Sequence, residues 1–195
     1  MSAKKYLVIA STLSLLFPAT LAAETERQHG AHEHGVSQLK IALDGKLLKF
    51  ELEAPGSDIV GFEHEAEDDT QKKSIQSALS MLGDPMSIFD FPVAAGCSVT
   101  ASDAKFETEH EEEHEGEKHD DHDDEEGHAE FHVTYSLTCT SPGSLANLGL
   151  KFFDLFPNAK ELEVEAVSNN GQIALEIMRG EKTINLSSIV APITN

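Results

Sequence analysis

The chain has 195 residues, and its 35 Asp and Glu against 14 Lys and Arg give a formal net charge of −21. That balance excludes a nucleic-acid binder, because phosphates select basic surfaces, and it excludes docking on anionic lipid. Ten histidines set among so many carboxylates point instead to a cationic partner, a divalent metal ion.

Lys4 and Lys5, the apolar run Tyr6 to Phe17 and the small residues of Thr20-Leu21-Ala22-Ala23 read as a secretory signal peptide over residues 1–23. The apolar run is shorter than the roughly 20 residues a spanning helix needs, and no cysteine follows it to carry a lipid anchor. The expectation is an exported protein without direct membrane insertion, with one domain over residues 24–195.

Gln28 to Gly35 forms a glycine-punctuated arm. Leu39, Ile41 and Leu43 then alternate with polar neighbours, the period of a half-buried strand. Asp44-Gly45 predicts a hairpin turn into Leu48, Phe50 and Leu52, and Ala54-Pro55-Gly56 ends that strand. Ser57 to Glu67 reads as a loop carrying Gly61-Phe62-Glu63-His64-Glu65. A helix follows, capped by Asp69 or Thr70, with Ile75, Ala78, Leu79 and Leu82 on one face, Gly83 at its C′ position and Pro85 beyond.

Cys97, Val99 and Ala101 share one face of the next run, and Phe131, Val133, Tyr135, Leu137 and Cys139 share one face of another. If Cys97 faces Cys139, Val99 meets Leu137 and Ala101 meets Tyr135. Two cysteines in an exported chain fit one disulfide, which by loop-closure entropy stabilises by about 4 kcal/mol. A pair of metal thiolates is the competing reading; both cysteines lie in apolar alternating runs, away from the histidine clusters. The disulfide would stand at the base of a long hairpin whose loop is residues 108–129. Asp103 falls on the inward face in this register and marks a bulge near the strand end.

Ser141-Pro142 reads as the start of a second helix with Leu145, Leu148, Phe152 and Leu155 or Phe156 as its stripe. Leu162, Val164 and Ala166 form a strand that turns at Asn170-Gly171 into Ile173, Leu175 and Ile177, and Thr183 to Leu186 adds an edge strand. This order predicts an α+β fold: a mostly antiparallel β-sheet with two helices packed on one face and a His/Asp/Glu-rich loop in a central hairpin.

Residues 107–130 hold 14 of the 35 acidic residues and 5 of the 10 histidines, with one basic residue. Imidazole and carboxylate are ligands for zinc and other divalent transition metals. His110 and His114 are spaced i, i+4, His119 and His122 i, i+3, and His128 and His132 i, i+4, the last lying on a strand and facing away from Phe131 and Val133, toward solvent. The scarcity of aromatic and β-branched residues predicts a disordered tract, which is compatible with metal binding. His110-Glu111-Glu112-Glu113-His114 matches the zinc-protease motif, but its neighbours offer no apolar face to bury a helix. No EF-hand frame fits, and no nucleophile elbow, phosphate loop or dinucleotide fingerprint occurs, so no enzyme is expected. Outside the tract, His29, His32 and His34 on the arm and His64 in its loop are candidates for a shaped site.

The chain resembles the ZrgA-type periplasmic zinc-binding proteins of Gram-negative bacteria. The resemblance rests on the signal peptide, on His29-Gly30-Ala31-His32-Glu33-His34-Gly35, and on Glu53-Ala54-Pro55-Gly56-Ser57-Asp58-Ile59-Val60-Gly61-Phe62-Glu63-His64. The two separated cysteines, the central His/Asp/Glu-rich insertion and a second-half helix add to it. It implies a periplasmic protein that captures Zn2+ for zinc acquisition and passes it to an inner-membrane metal transporter, with His32, His34 and His64 as a defined site. The alternative is a buffer for copper or nickel; Met81, Met86 and Met178 are too scattered for a copper(I) cluster.

Overall fold

The computed structural model describes residues 34–108 and 128–190. The predicted signal peptide over residues 1–23, His29, His32, His110, His114, His119 and His122 lie outside these residues. Among the described residues no helix is long and apolar enough to cross a membrane.

Strands β1 (Val36–Asp44) and β2 (Leu47–Pro55) form the expected hairpin, with Leu39 opposite Leu52, Ile41 opposite Phe50 and Leu43 opposite Leu48. The connecting pair is Gly45-Lys46, one residue later than the pair read from sequence, and Gly45 takes the positive φ of 57°. Strands β4 (Cys97–Thr108) and β5 (Ala129–Cys139) form the long hairpin, and Cys97 and Cys139 are register partners joined by a disulfide. The His/acid tract thus connects the paired ends Thr108 and Ala129. With β7 (Glu161–Ser168) and β8 (Gly171–Met178), the main sheet runs β4-β5-β2-β1-β7-β8, and β1 and β7 are its parallel pair.

A bulge between Val99 and Ala101 corrects the expected register beyond Val99. Ala101 meets Ser136 and Ser102 meets Tyr135. A one-residue slip moves every later side chain to the opposite face. Asp103 is thereby turned to solvent opposite Thr134, while Ala104 and Phe106 pack against the core. The bulge expected near the strand end lies instead close to its start, ahead of Asp103, and so turns the aspartate outward.

The second predicted helix is a correction. Residues 142–156 form a 3₁₀ turn (Pro142–Leu145), strand β6 (Asn147–Leu150) and the single turn α4 (Phe152–Leu155). Leu148 and Leu150 alternate with Asn147 and Gly149, a short period-2 signal hidden inside the apparent helical stripe. Gly149 also lets β6 pair closely with its neighbour: a Cβ there would come 2.7 Å from Asp90 Cβ. Strand β6 lies between β3 (Phe89–Asp90) and β9 (Thr183–Asn185) in a small second sheet.

Among the described helices, α1 (Gly56–Ile59), α3 (Pro85–Ile88), α4 and α5 (Ser187–Val190) are single turns, and α2 (Asp69–Leu82) alone is long. Its cap is Asp68, which accepts from the Thr70 and Gln71 N–H groups, one residue before the predicted cap. Gly83 closes it with φ −68°. The inner face of the main sheet meets α2 and the small sheet: Phe50 stacks on Phe89 at 5.0 Å, and the Tyr135 hydroxyl donates to the Leu82 carbonyl at the end of α2.

Candidate metal site

The site is assembled where β2 ends and α1 turns the chain. A Cβ on Gly56 would come 2.4 Å from the Phe62 carbonyl oxygen and 2.9 Å from that of Ala129. Only glycine therefore lets the loop before Glu63 and the start of β5 close on this turn. The Ser57 hydroxyl donates to Glu63 Oε1, and the Glu63 side chain is 14% exposed.

The N-terminal arm reaches the same place through Gly35. Its N–H donates to Asp58 Oδ1 at 2.8 Å, and its carbonyl accepts from the N–H groups of Lys160 at 2.9 Å and Glu161 at 3.0 Å. With φ at 95° and Lys160 Cδ 2.9 Å from where a Cβ would stand, this position requires glycine. The Ser37 hydroxyl donates to Asp58 Oδ2 at 3.0 Å. Burial pushes the Asp58 carboxyl up from its usual range; the hydrogen bonds from Ser37 and Gly35 oppose this, nearby Glu63 adds to it and His34 opposes it.

His34, one residue before Gly35, places Nδ1 3.1 Å from Glu63 Oε1 and 3.3 Å from Ser57 Oγ. His128, one residue before β5, places Nδ1 3.7 Å from Glu63 Oε2. One carboxylate thus has an imidazole at each oxygen, brought from the arm on one side and from the end of the His/acid tract on the other. His64, grouped with His34 from sequence, turns elsewhere. Its ring stacks on Phe62 at 4.9 Å and Nδ1 lies 2.8 Å from the Glu65 carbonyl oxygen.

His132 occupies a different setting: it lies on the polar face of β5 as expected but is not open to solvent, its side chain being 17% exposed between glutamates. Its Nε2 lies 3.1 Å from Glu130 Oε1 and 3.8 Å from Glu107 Oε2. Glu107 and Glu130 are direct register partners across β4 and β5, an arrangement that like charges disfavour, and Glu130 is only 3% exposed. The hydrogen bond to Glu130 pushes the His132 imidazole up from its usual range; burial opposes it, and the charges of Glu130, Glu107 and Glu53 add to the rise.

Glu63 is the residue that sequence reasoning missed as a participant. It stood in view beside His64, with glycines at 56 and 61 announcing a tight return of the chain, but nothing local says which of two adjacent side chains faces the arm. Among the described residues, no group of three or more His, Cys, Asp or Glu side chains is arranged to hold a metal ion as it stands.

A family model described as the ZrgA family zinc uptake protein matches residues 31–186. The chain belongs to this family. No curated protein matches it. Membership of the ZrgA family gives the chain a zinc-related role, and the matched stretch takes in both sides of the site, His34 and His128.

Proposed function

We propose that the protein is an exported, non-enzymatic zinc carrier of the periplasm, and that His34, Glu63 and His128 close on the ion it carries. The observation that supports this most is the Glu63 carboxylate with an imidazole nitrogen 3.1 Å from one oxygen and 3.7 Å from the other. Ligand atoms around tetrahedral zinc stand about 3.3–3.5 Å apart, given bonds of about 2.0–2.2 Å. The two gaps bracket that spacing. The His34 and His128 side chains are 69% and 60% exposed, so rotation about their χ angles is open to them, and metal arrival supplies the reason to rotate.

In this reading the tract gathers metal with His110, His114, His119 and His122, and the folded domain holds it for an inner-membrane metal transporter. Zinc titration calorimetry at pH 7.5 tests the assignment on three proteins: the intact chain, Glu63→Gln, and a chain with residues 109–127 replaced by a short Gly-Ser turn. The tract replacement should lower the number of zinc ions bound and keep the tightest one. Glu63→Gln should keep the number of weak sites and weaken the tightest at least about tenfold, the cost of losing a charged ligand. Unchanged tight binding in Glu63→Gln overturns the assignment. Parallel titrations with nickel and copper(II) test the selectivity, and impaired growth of a deletion strain under zinc chelation tests the role in uptake.

A further inference from the structure

Asp58 stands directly behind the proposed site, and no role described so far uses its charge. Ser57 and Asp58 are consecutive in α1, yet they serve opposite sides of it. Ser57 faces His34 and Glu63; Asp58 is buried at 2% exposure against the start of β1. Both its hydrogen-bond donors, the Gly35 N–H and the Ser37 hydroxyl, are neutral. Asparagine would accept the same N–H bond and pair with the same hydroxyl without the penalty of burying a charge. A tie between strand and turn therefore does not explain why the residue is a carboxylate.

Two consequences follow for the site. The Asp58–Gly35 bond holds Gly35 from its N–H side while Lys160 and Glu161 hold its carbonyl. A residue pinned at both backbone groups leaves His34, immediately before it, a defined origin opposite Ser57 and Glu63. The buried carboxylate also adds negative charge at a place where solvent and salt screen it weakly, and that charge favours a dication over an empty site. We infer that Asp58 is a positioning residue for zinc capture, setting His34 against Glu63 through the Gly35 amide and supplying a fixed negative charge behind the ion. This rests on the assignment of His34, Glu63 and His128 as zinc ligands.

The test uses the full chain with Asp58→Asn and Asp58→Ala beside Glu63→Gln, each measured twice: zinc affinity by calorimetry and metal-free stability by urea unfolding. In Asp58→Asn the unfolding midpoint should hold or rise, while the tightest zinc site weakens about tenfold, the lower end for losing an outer partner of metal ligands. In Asp58→Ala the same site should weaken further, and the His34 imidazole signals in a ¹H–¹⁵N correlation spectrum should shift as its anchor is lost. A lower midpoint in Asp58→Asn with unchanged zinc affinity would make the residue purely structural and sink the inference. If Glu63→Gln weakens zinc and Asp58→Asn does not, the inference falls and the site assignment stands; if neither variant weakens zinc, both fall.

Discussion

His128 and His132 are close neighbours in the chain, each facing glutamate, and the two settings could hardly differ more. His128 precedes β5, is 60% exposed, and shares Glu63 with an equally open His34. His132 lies within β5, is 17% exposed, and faces Glu130, whose side chain is 4% exposed. The first arrangement has imidazoles at mobile-sided positions around one carboxylate, free to turn toward an ion. The second has an imidazole held between two glutamates that the sheet register brings together. Under the proposed zinc assignment, burial and rotational freedom, not proximity of histidine to glutamate, would separate a ligand from a counter-ion.

Losses of stability are greatest on the buried side. His132→Ala, in chelator, removes the imidazole facing a buried carboxylate and should cost about 3 kcal/mol in urea unfolding. Its zinc affinity should stay near that of the intact chain. If zinc instead weakens as it does for His128→Ala, with no loss of stability, then His132 belongs among the ligands and the contrast collapses.

The same pair carries a pH signature. The folded-state imidazole of His132 titrates above its unfolded value, so its contribution is fully present below an unfolded value of about 6.5. It fades as pH rises through the elevated folded value. The stability gap between intact protein and His132→Gln, measured in chelator from pH 6 upward, should narrow with rising pH. A gap that widens contradicts the assigned charge state.

On the open side the effects move from stability to binding. His34→Ala and His128→Ala should each weaken the tightest zinc site about tenfold and leave unfolding within about 0.5 kcal/mol, as expected for exposed positions. The smallest effect belongs to His64→Ala. Its zinc affinity should change less than about twofold, with a stability loss below about 1 kcal/mol from the lost stacking on Phe62. A tenfold loss there would return His64 to the place that sequence reasoning assigned it.

Much of the fold was legible because its signals are local. Leu39-Ile41-Leu43 and Leu48-Phe50-Leu52 announce a hairpin, and the facing patterns that begin at Cys97 and end at Cys139 announce the second hairpin and its disulfide. What failed did so where two periods overlap. Leu145, Leu148 and Phe152 read as a helical stripe, but Asn147 and Gly149 belong to a strand whose existence depends on β3 and β9 being there to pair with it. The site was legible in part. His34 was named as a histidine of the arm, with nothing in the sequence to show that Gly35 would take a positive φ and bring it to Glu63; Glu63 and Asp58 stood beside the more conspicuous His64 and were not named.

By itself the sequence determined the chemistry and the alternation: histidines and carboxylates that suit a divalent cation, strands whose apolar faces follow the pleat, and cysteines placed to pair. Those features are set residue by residue or over a few neighbours. Which donors meet depends on long-range packing. Glu63 has an imidazole at each oxygen because β1 runs parallel to β7, β2 pairs with β5 down to Pro55 and Glu130, and Gly56 lets the loop close over the start of β5. Each of these is a contact between segments far apart in the chain, formed when the inner face of the sheet is buried. No local pattern encodes it.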